Sequence, residues 1–494
     1  MRFLRPIAAS RFLLVSALIH LLLVILLGGR VLFNKYVETA DFQSTDLKVS
    51  TEAAPTPPPD TAETILPSPA IAPAAPPAVL PSGLTAITSL KFSPSAFAMH
   101  LPPIAPTDIG REINLPAQIH QFGSGTAVAL PGVMGSRTAG ARESAGRKYG
   151  ENPASEQAVV NALAWLQSQQ KPDGTWGTPK YHEAFTGLAL LCFLGHGETP
   201  QTSLHFGATV NNAINVLVNE GAIHAGRFTG EDSFAGIEAA YQHAICTYAL
   251  CEAYTMTRDD RVAPMVKQAV EYILRGQRSD GGWAYSYDVS GDTRVKPKSD
   301  TSVSGWQIQA LKAAYLTGLP GIQDIVRPVL NDAMKNLDRV FNYKNGSFGY
   351  RKSGDRDYSL TGVGVLAKLM WLGRPDASVR DGLVNIQSRE LKYDGAGCNL
   401  YAWYYDTQAC YQAQGDSWDW WKERFQEQLT ARQSPDGSWL PTGGWGEAFR
   451  DGNQAGGDGA LYRTTLCCLM LEVFYRYLPT SQEGPPGGEV EGLK

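Results

Sequence analysis

One short phrase, written three times, restricts this chain more than any other feature. It reads QQKPDGTWG from Gln169 to Gly177, GQRSDGGW from Gly276 to Trp283 and QSPDGSW from Gln433 to Trp439. Fainter copies stand at YKNGSFG (Tyr343 to Gly349) and KYDGAG (Lys392 to Gly397). Each full copy sets Asp-Gly, a turn-forming pair, between two stretches of helical periodicity and follows it with a tryptophan that can cover apolar surface. A phrase that recurs in this manner marks a repeated structural position and not an isolated active site.

Beyond Pro153 the sequence reads as pairs of helices divided by that phrase. In the first pair Ala158, Leu163 and Leu166 share an apolar helical face, Pro-Asp-Gly interrupts it, and HEAFTGLALLCFLG resumes the helix. The order returns in VKQAVEYILRGQRSDGGW followed by SDTSVSGWQIQALKAAYL, and four more pairs are readable, at an irregular spacing of roughly forty to sixty residues. First helices carry Lys, Arg and Glu on one face, whereas second helices are apolar nearly all round and rich in Gly, Ala, Ser and Thr, as inner helices packed closely on their neighbours would be. Repeat units bury their faces against one another. The predicted fold class is therefore all-α: an α/α toroid of about six helical hairpins over residues 153–479, six outer and six inner helices, with 480–494 a disordered tail.

The N-terminal third has a different character. FLLVSALIHLLLVILLGG, with Val31 to Phe33, is of membrane-spanning length, so 12–33 is expected to be a transmembrane anchor and 1–11 a cytoplasmic N-terminus. A cleaved signal peptide is the alternative, but the apolar run is long for one and Gly28-Gly29 before Arg30 is a poor cleavage site. Arg2, Arg5 and Arg11 precede the span and Arg30 and Lys35 follow it, a bias that places the C-terminal domain outside the cytoplasmic membrane. Proline and alanine dominate from about Glu52 to Pro106, and Gly, Ser and Arg continue the irregular composition from Gly135 to Gly150, so 34–150 is expected to be a disordered spacer. The periplasm of a bacterial envelope is the expected location of the helical domain.

Charge and cysteine content exclude further classes. Lys plus Arg is 43 against 48 for Asp plus Glu, a net charge of -5 without a basic block, which argues against nucleic-acid binding. The seven cysteines lack the dense regular spacing of a disulfide framework and are expected to be small buried hydrophobes.

The Gln-x-x-Asp-Gly-x-Trp phrases in a ring of helix pairs resemble the repeats of squalene-hopene cyclases and of protein prenyltransferase β subunits, over roughly Pro153 to Pro479. The resemblance implies the toroid of the terpenoid cyclase superfamily, a superfamily that also holds toroids with different functions. Cyclases of the squalene-hopene type use a protonated Asp in Asp-x-Asp-Asp to start a carbocation cascade. In GDRDYSLTG, Asp355 and Asp357 match the first two carboxylates while Tyr358 stands in place of the third, and SDTSVSG keeps only Asp300. Asp300 and Asp357 are thus the candidate catalytic residues that the resemblance implies, and ordinary helix N-caps on the alternative reading. The prenyltransferase zinc set, an Asp-x-Cys pair and a later His, is absent from the sequence, and no metal or other cofactor is expected.

Aligning the second helices on Thr186, Thr247, Ser304, Thr361, Thr407 and Thr465 places His182, His243, Asp300, Asp357, Trp403 and Leu461 four residues upstream. Glu183, Thr301, Tyr358, Tyr404 and Tyr462 come one step later. With Trp306 these residues are expected to rim one mouth of the toroid over an apolar cavity, as a site for an isoprenoid, another apolar ligand or a sugar. A second resemblance lies in the membrane helix, where Ser16 and His20 are spaced i, i+4, similar to the Ser-x-x-x-His helix of TonB-type energy transducers. The expectation is an anchored envelope protein that binds a ligand or a protein partner without established catalysis. The alternatives are a divergent cyclase-like enzyme acting on an isoprenoid, and a TonB-like component coupled to a proton-channel motor.

Overall fold

The computed structural model describes residues 132–229, 239–287, 299–355, 359–373, 375–394, 398–440 and 458–476. The predicted membrane span and most of the spacer lie outside these residues, as do Asp357 and Tyr358. Among the described residues no helix is long and apolar enough to cross a membrane.

A 3-10 turn at Gly132–Arg137 leads into α1 (Ala139–Tyr149). The toroid pairs come next: α2 (Pro153–Gln169) with α3 (His182–Gly195), α4 (Gly207–Ile223) with α5 (Ala239–Thr257), and α6 (Val262–Gly276) with α7 (Thr301–Leu316). The second half pairs α8 (Ile322–Val340) with α9 (Thr361–Leu372), α10 (Ala377–Gln387) with α11 (Leu400–Ala413), and α12 (Gly415–Thr430) with α13 (Asp458–Leu471), before a last turn, α14 (Val473–Arg476). Odd-numbered helices from α3 to α13 each pack on the next, and α13 returns to α3, so the six inner helices close into a ring. They are buried on nearly every face, whereas α6 buries Met265, Val266, Ala269, Val270 and Ile273 and turns Lys267 and Glu271 to solvent.

The repeated phrase explains how neighbouring hairpins are joined. Its Asp closes the turn: Asp173 Oδ1 accepts from Thr175 N at 2.9 Å, and Asp436 Oδ1 accepts from Ser438 N at 3.0 Å. The following glycine adopts a left-handed conformation, φ 86° at Gly281 and 93° at Gly437, and a Cβ there would stand 2.1 Å from the Asp332 carbonyl and 2.3 Å from the Asn161 carbonyl of the neighbouring outer helix. The Gln side chain ties the turn to that helix. Gln170 donates to Gly174 O and to Thr209 O in α4, both at 3.1 Å, and Gln277 donates to Gly281 O at 2.9 Å and to Val329 O in α8 at 2.8 Å. Gln433 donates to Gly437 O at 3.0 Å and to Ala158 O in α2 at 2.7 Å, which closes the outer layer.

Each tryptophan is fully buried and fastens its own hairpin. Trp176, Trp283 and Trp439 donate from Nε1 to the carbonyls of Leu166, Ile273 and Leu429 at 2.7, 2.8 and 2.9 Å, and from the backbone to a Thr or Ser hydroxyl on the inner helix. Gln and Gly thus join neighbouring hairpins, by hydrogen bond and by close approach. In the fainter fourth copy Asn345 takes the Asp role, Gly346 the left-handed turn and Phe348 the buried aromatic, within a two-residue antiparallel pair of β1 (Phe341–Asn342) and β2 (Ser347–Phe348).

One boundary differs from the sequence reading. Residues 132–149, assigned to an irregular spacer, are helical and sewn onto the ring, because their Gly, Ser and Arg content conceals a fully buried Arg137 and buried Arg142 and Tyr149.

Candidate functional site

The N-termini of α5, α7 and α11 meet at one end of the ring axis. Asp300 caps α7, its Oδ1 accepting from Ser302 N at 2.8 Å and from Ser302 Oγ at 2.5 Å. The carboxylate is fully buried, and among the described residues its second oxygen, Oδ2, makes no hydrogen bond of normal length, although the Tyr350 hydroxyl interacts with the carboxylate. Among the described residues no lysine, arginine or histidine pairs with it.

Tyrosines surround this group. Tyr241 shares a hydrogen bond with Ser302 Oγ at 2.7 Å, Tyr401 donates to Ser302 O at 2.6 Å, and the Tyr285 and Tyr350 hydroxyls pair at 2.6 Å. Burial raises the pKa values of Tyr241, Tyr350 and Tyr401 well above the ordinary phenol value, and the adjacent Asp300 carboxylate pushes in the same direction for all three. Tyr241, Tyr285, Tyr350, Tyr401 and Tyr462 each keep part of their surface in solvent. This end of the axis is an aromatic mouth with a carboxylate beneath it.

Midway along the axis the ring is filled. Trp306 stacks on Tyr404 with centroids 5.3 Å apart, and Gln309 donates to Gln408 at 3.0 Å. At the far end, where the inner helices terminate, Arg137 donates to Glu252 at 2.8 Å, to Leu194 O at 3.1 Å and to Arg476 O at 3.0 Å. Arg476 reaches Tyr248 at 3.3 Å and Glu252 at 3.6 Å. Burial would raise the Glu252 carboxyl, but Arg137 and Arg476 override it and hold it below its ordinary value. The axis therefore carries partly exposed tyrosines at one end and is plugged by buried charge at the other.

These positions sort the expected rim residues. Asp300, Thr301 and Tyr462 lie at the mouth, where Thr301 donates to Gly349 O at 2.7 Å. His182 stands at the start of α3 against Pro179 O, Glu183 is buried at the same level, and Trp403 is buried edge-on to Tyr393. Trp306 and Tyr404 lie deeper in the axis. His243 does not belong to the mouth: its Nδ1 accepts from Phe228 N at 3.2 Å, its Nε2 donates to Ala269 O in outer helix α6 at 2.9 Å, and it packs among Phe228, Tyr272 and Tyr287. Burial lowers its pKa to about 4.

The misplacement has a geometric cause. Thr186, Ser304 and Thr407 turn toward the outer layer, where they meet Trp176, Trp283 and Trp421, and a residue four positions upstream within the helix shares their face, whereas Asp300, the extended N-cap of α7, is not bound by that periodicity. Axis-facing residues such as Tyr241, Ser302 and Tyr401 were missed for that reason. Tyr285 and Tyr350 carried a readable signal, since each follows the buried aromatic of its phrase, Trp283 or Phe348, by two residues.

Among the described residues no group of three or more His, Cys, Asp or Glu side chains is placed to hold a metal ion. All seven cysteines are buried free thiols.

No protein-family model and no curated protein matches the sequence. Among solved structures, a type II terpene cyclase from Scytonema in complex with geranylgeranyl dihydroxybenzoate matches at 14% identity and TM-score 0.44, over 65% of this chain and 97% of that one. An α-1,6-mannanase from Salegentibacter sp. matches at 12% identity and TM-score 0.46, over 64% of this chain and 98% of that one. The toroid rests on this chain's own helix order and closure.

Proposed function

We propose that this is an anchored envelope protein whose ring binds a small ligand at the tyrosine mouth, without established catalysis. The observation that carries the reading is the Oδ2 atom of Asp300, a buried acceptor that makes no hydrogen bond of normal length among the described residues, beneath partly exposed tyrosine rings. Buried polar groups are almost always satisfied, and an exception next to an aromatic opening is the signature of a place for an incoming group. The apolar run Phe12 to Phe33 and its flanking arginines support the anchor. Native mass spectrometry of protein purified gently from its own membranes tests the binding. A small molecule retained by the parent and lost from Asp300→Asn is expected, whereas the same empty mass for both proteins contradicts it.

The cyclase reading draws on the same atom, because an initiating proton would sit on a carboxyl oxygen that nothing else occupies. Against it, Oδ1 receives the Ser302 amide and hydroxyl as an ordinary helix N-cap does. Turnover of squalene that disappears in Asp300→Asn would establish the cyclase instead.

A further inference from the structure

Among the described residues Asp300 is a buried carboxylate with one acceptor that makes no normal hydrogen bond and with no cationic partner, an expensive group to keep, and its chemistry specifies what would relieve it. Leaving a charge buried and unpaired costs more than any single hydrogen bond returns. Asp300 is 0% exposed, its Oδ1 is committed to Ser302, and the groups placed around it are neutral phenols and a serine. Tyr241 and Tyr285 meet edge to face with centroids 5.7 Å apart, and the Tyr401 and Tyr405 centroids stand 5.0 Å apart.

Resting on the ligand mouth argued above, we propose that its ligand carries a protonated amine that displaces the 2.6 Å hydrogen bond between the Tyr285 and Tyr350 hydroxyls and donates an N–H to Asp300 Oδ2. One such group meets three demands together. It supplies the missing positive charge, it gives the empty acceptor a donor, and it is attracted to the tyrosine faces by cation–π interaction. A hydroxyl supplies the donor without the charge, and a quaternary ammonium supplies the charge without the donor. The body of the ligand then rests on the partly exposed rings of Tyr241, Tyr401 and Tyr462, which suits an apolar or aromatic amine.

Calorimetric titration of the full chain with n-hexylamine, n-hexanol and hexyltrimethylammonium, which share one apolar body and differ in the head group, tests this. Hexylamine is expected to bind at least about tenfold more tightly than either of the others at neutral pH, given the worth of a charge-assisted bond added to cation–π attraction. Asp300→Asn keeps the α7 cap, since Asn caps as well as Asp, and is expected to abolish that preference without lowering the melting temperature. Equal affinities for the three head groups, or an amine preference that survives Asp300→Asn, overturn the amine assignment and leave a ligand mouth in place. Absence of saturable binding by all three overturns both.

Discussion

At the scale of single residues, the repeated phrase divides its work among four side chains, and each is open to a separate challenge. Gln ties a turn to the next outer helix, Asp closes the turn, Gly allows the close approach, and Trp fastens outer to inner helix. The tryptophans carry the largest share, because Trp283 and Trp439 are fully buried with their indole nitrogens satisfied. Trp283→Ala and Trp439→Ala are each expected to lower stability by about 3 to 5 kcal/mol, the usual cost of truncating a buried large aromatic. Chemical denaturation of the two variants would show it, and midpoints equal to the parent's would remove the phrase from the account of the fold. This much was legible in the sequence because turn chemistry is local. The mouth was less so, since which side of an inner helix faces the axis depends on where the outer helix packs. His243 and Tyr241 are two residues apart, yet one bonds to the outer layer and the other opens on the mouth.

Between elements, the plugged end of the ring depends on ionisable groups where α1, α2, α3 and α14 meet. His196, just past α3, bonds Glu198 through Nδ1 at 2.7 Å and Glu156 of α2 through Nε2 at 3.2 Å, while Arg142 of α1 donates to His196 O at 2.6 Å and Tyr475 of α14 donates to Glu156 at 3.1 Å. Burial and Arg142 would lower the His196 pKa, but Glu156 and Glu198 prevail and raise it from 6.5 to about 9. Burial likewise lifts Glu472 from 4.5 to about 8. For Glu156 burial acts upward, but His196 and Arg142 prevail and bring it down to about 2. A raised folded-state pKa contributes stability that is fully present below the unfolded value and lost as pH climbs through the folded one, so His196 and Glu472 both weaken the clasp on the way to pH 9. Glu156 acts oppositely, stabilising above its ordinary 4.5 and failing as pH falls toward 2. The melting temperature is thus expected to fall between pH 6.5 and 9, and to fall less steeply in His196→Gln. A parent whose melting temperature holds steady or rises over that interval would contradict the assignment. None of this was readable beforehand, because residues far apart in sequence become neighbours only when the ring closes.

For the whole molecule, closure of the ring by α13 on α3 and by Gln433 on α2 makes the described hairpins one cooperative body, with 132–149 belonging to it and not to the spacer. Limited proteolysis is expected to leave a single fragment that begins at or before Gly132, since the Pro- and Ala-rich composition from Glu52 to Pro106 cannot build a core. A stable fragment beginning near Pro153 would show that the N-terminal clasp is dispensable. Number of hairpins, inner and outer layers and the turn positions were all legible from helical periodicity; the plug at one end and the tyrosine mouth at the other were not, because each is assembled from ends of several repeats. The account depends most on that mouth being where a ligand sits. An experimentally determined structure of the full chain with its retained ligand, or with n-hexylamine supplied, tests this most directly. The account predicts ligand density among Tyr241, Tyr285, Tyr350 and Tyr401 with a polar atom at hydrogen-bond distance from Asp300 Oδ2, whereas a ligand bound on the outer helices, with the mouth tyrosines and Asp300 undisturbed, would contradict it.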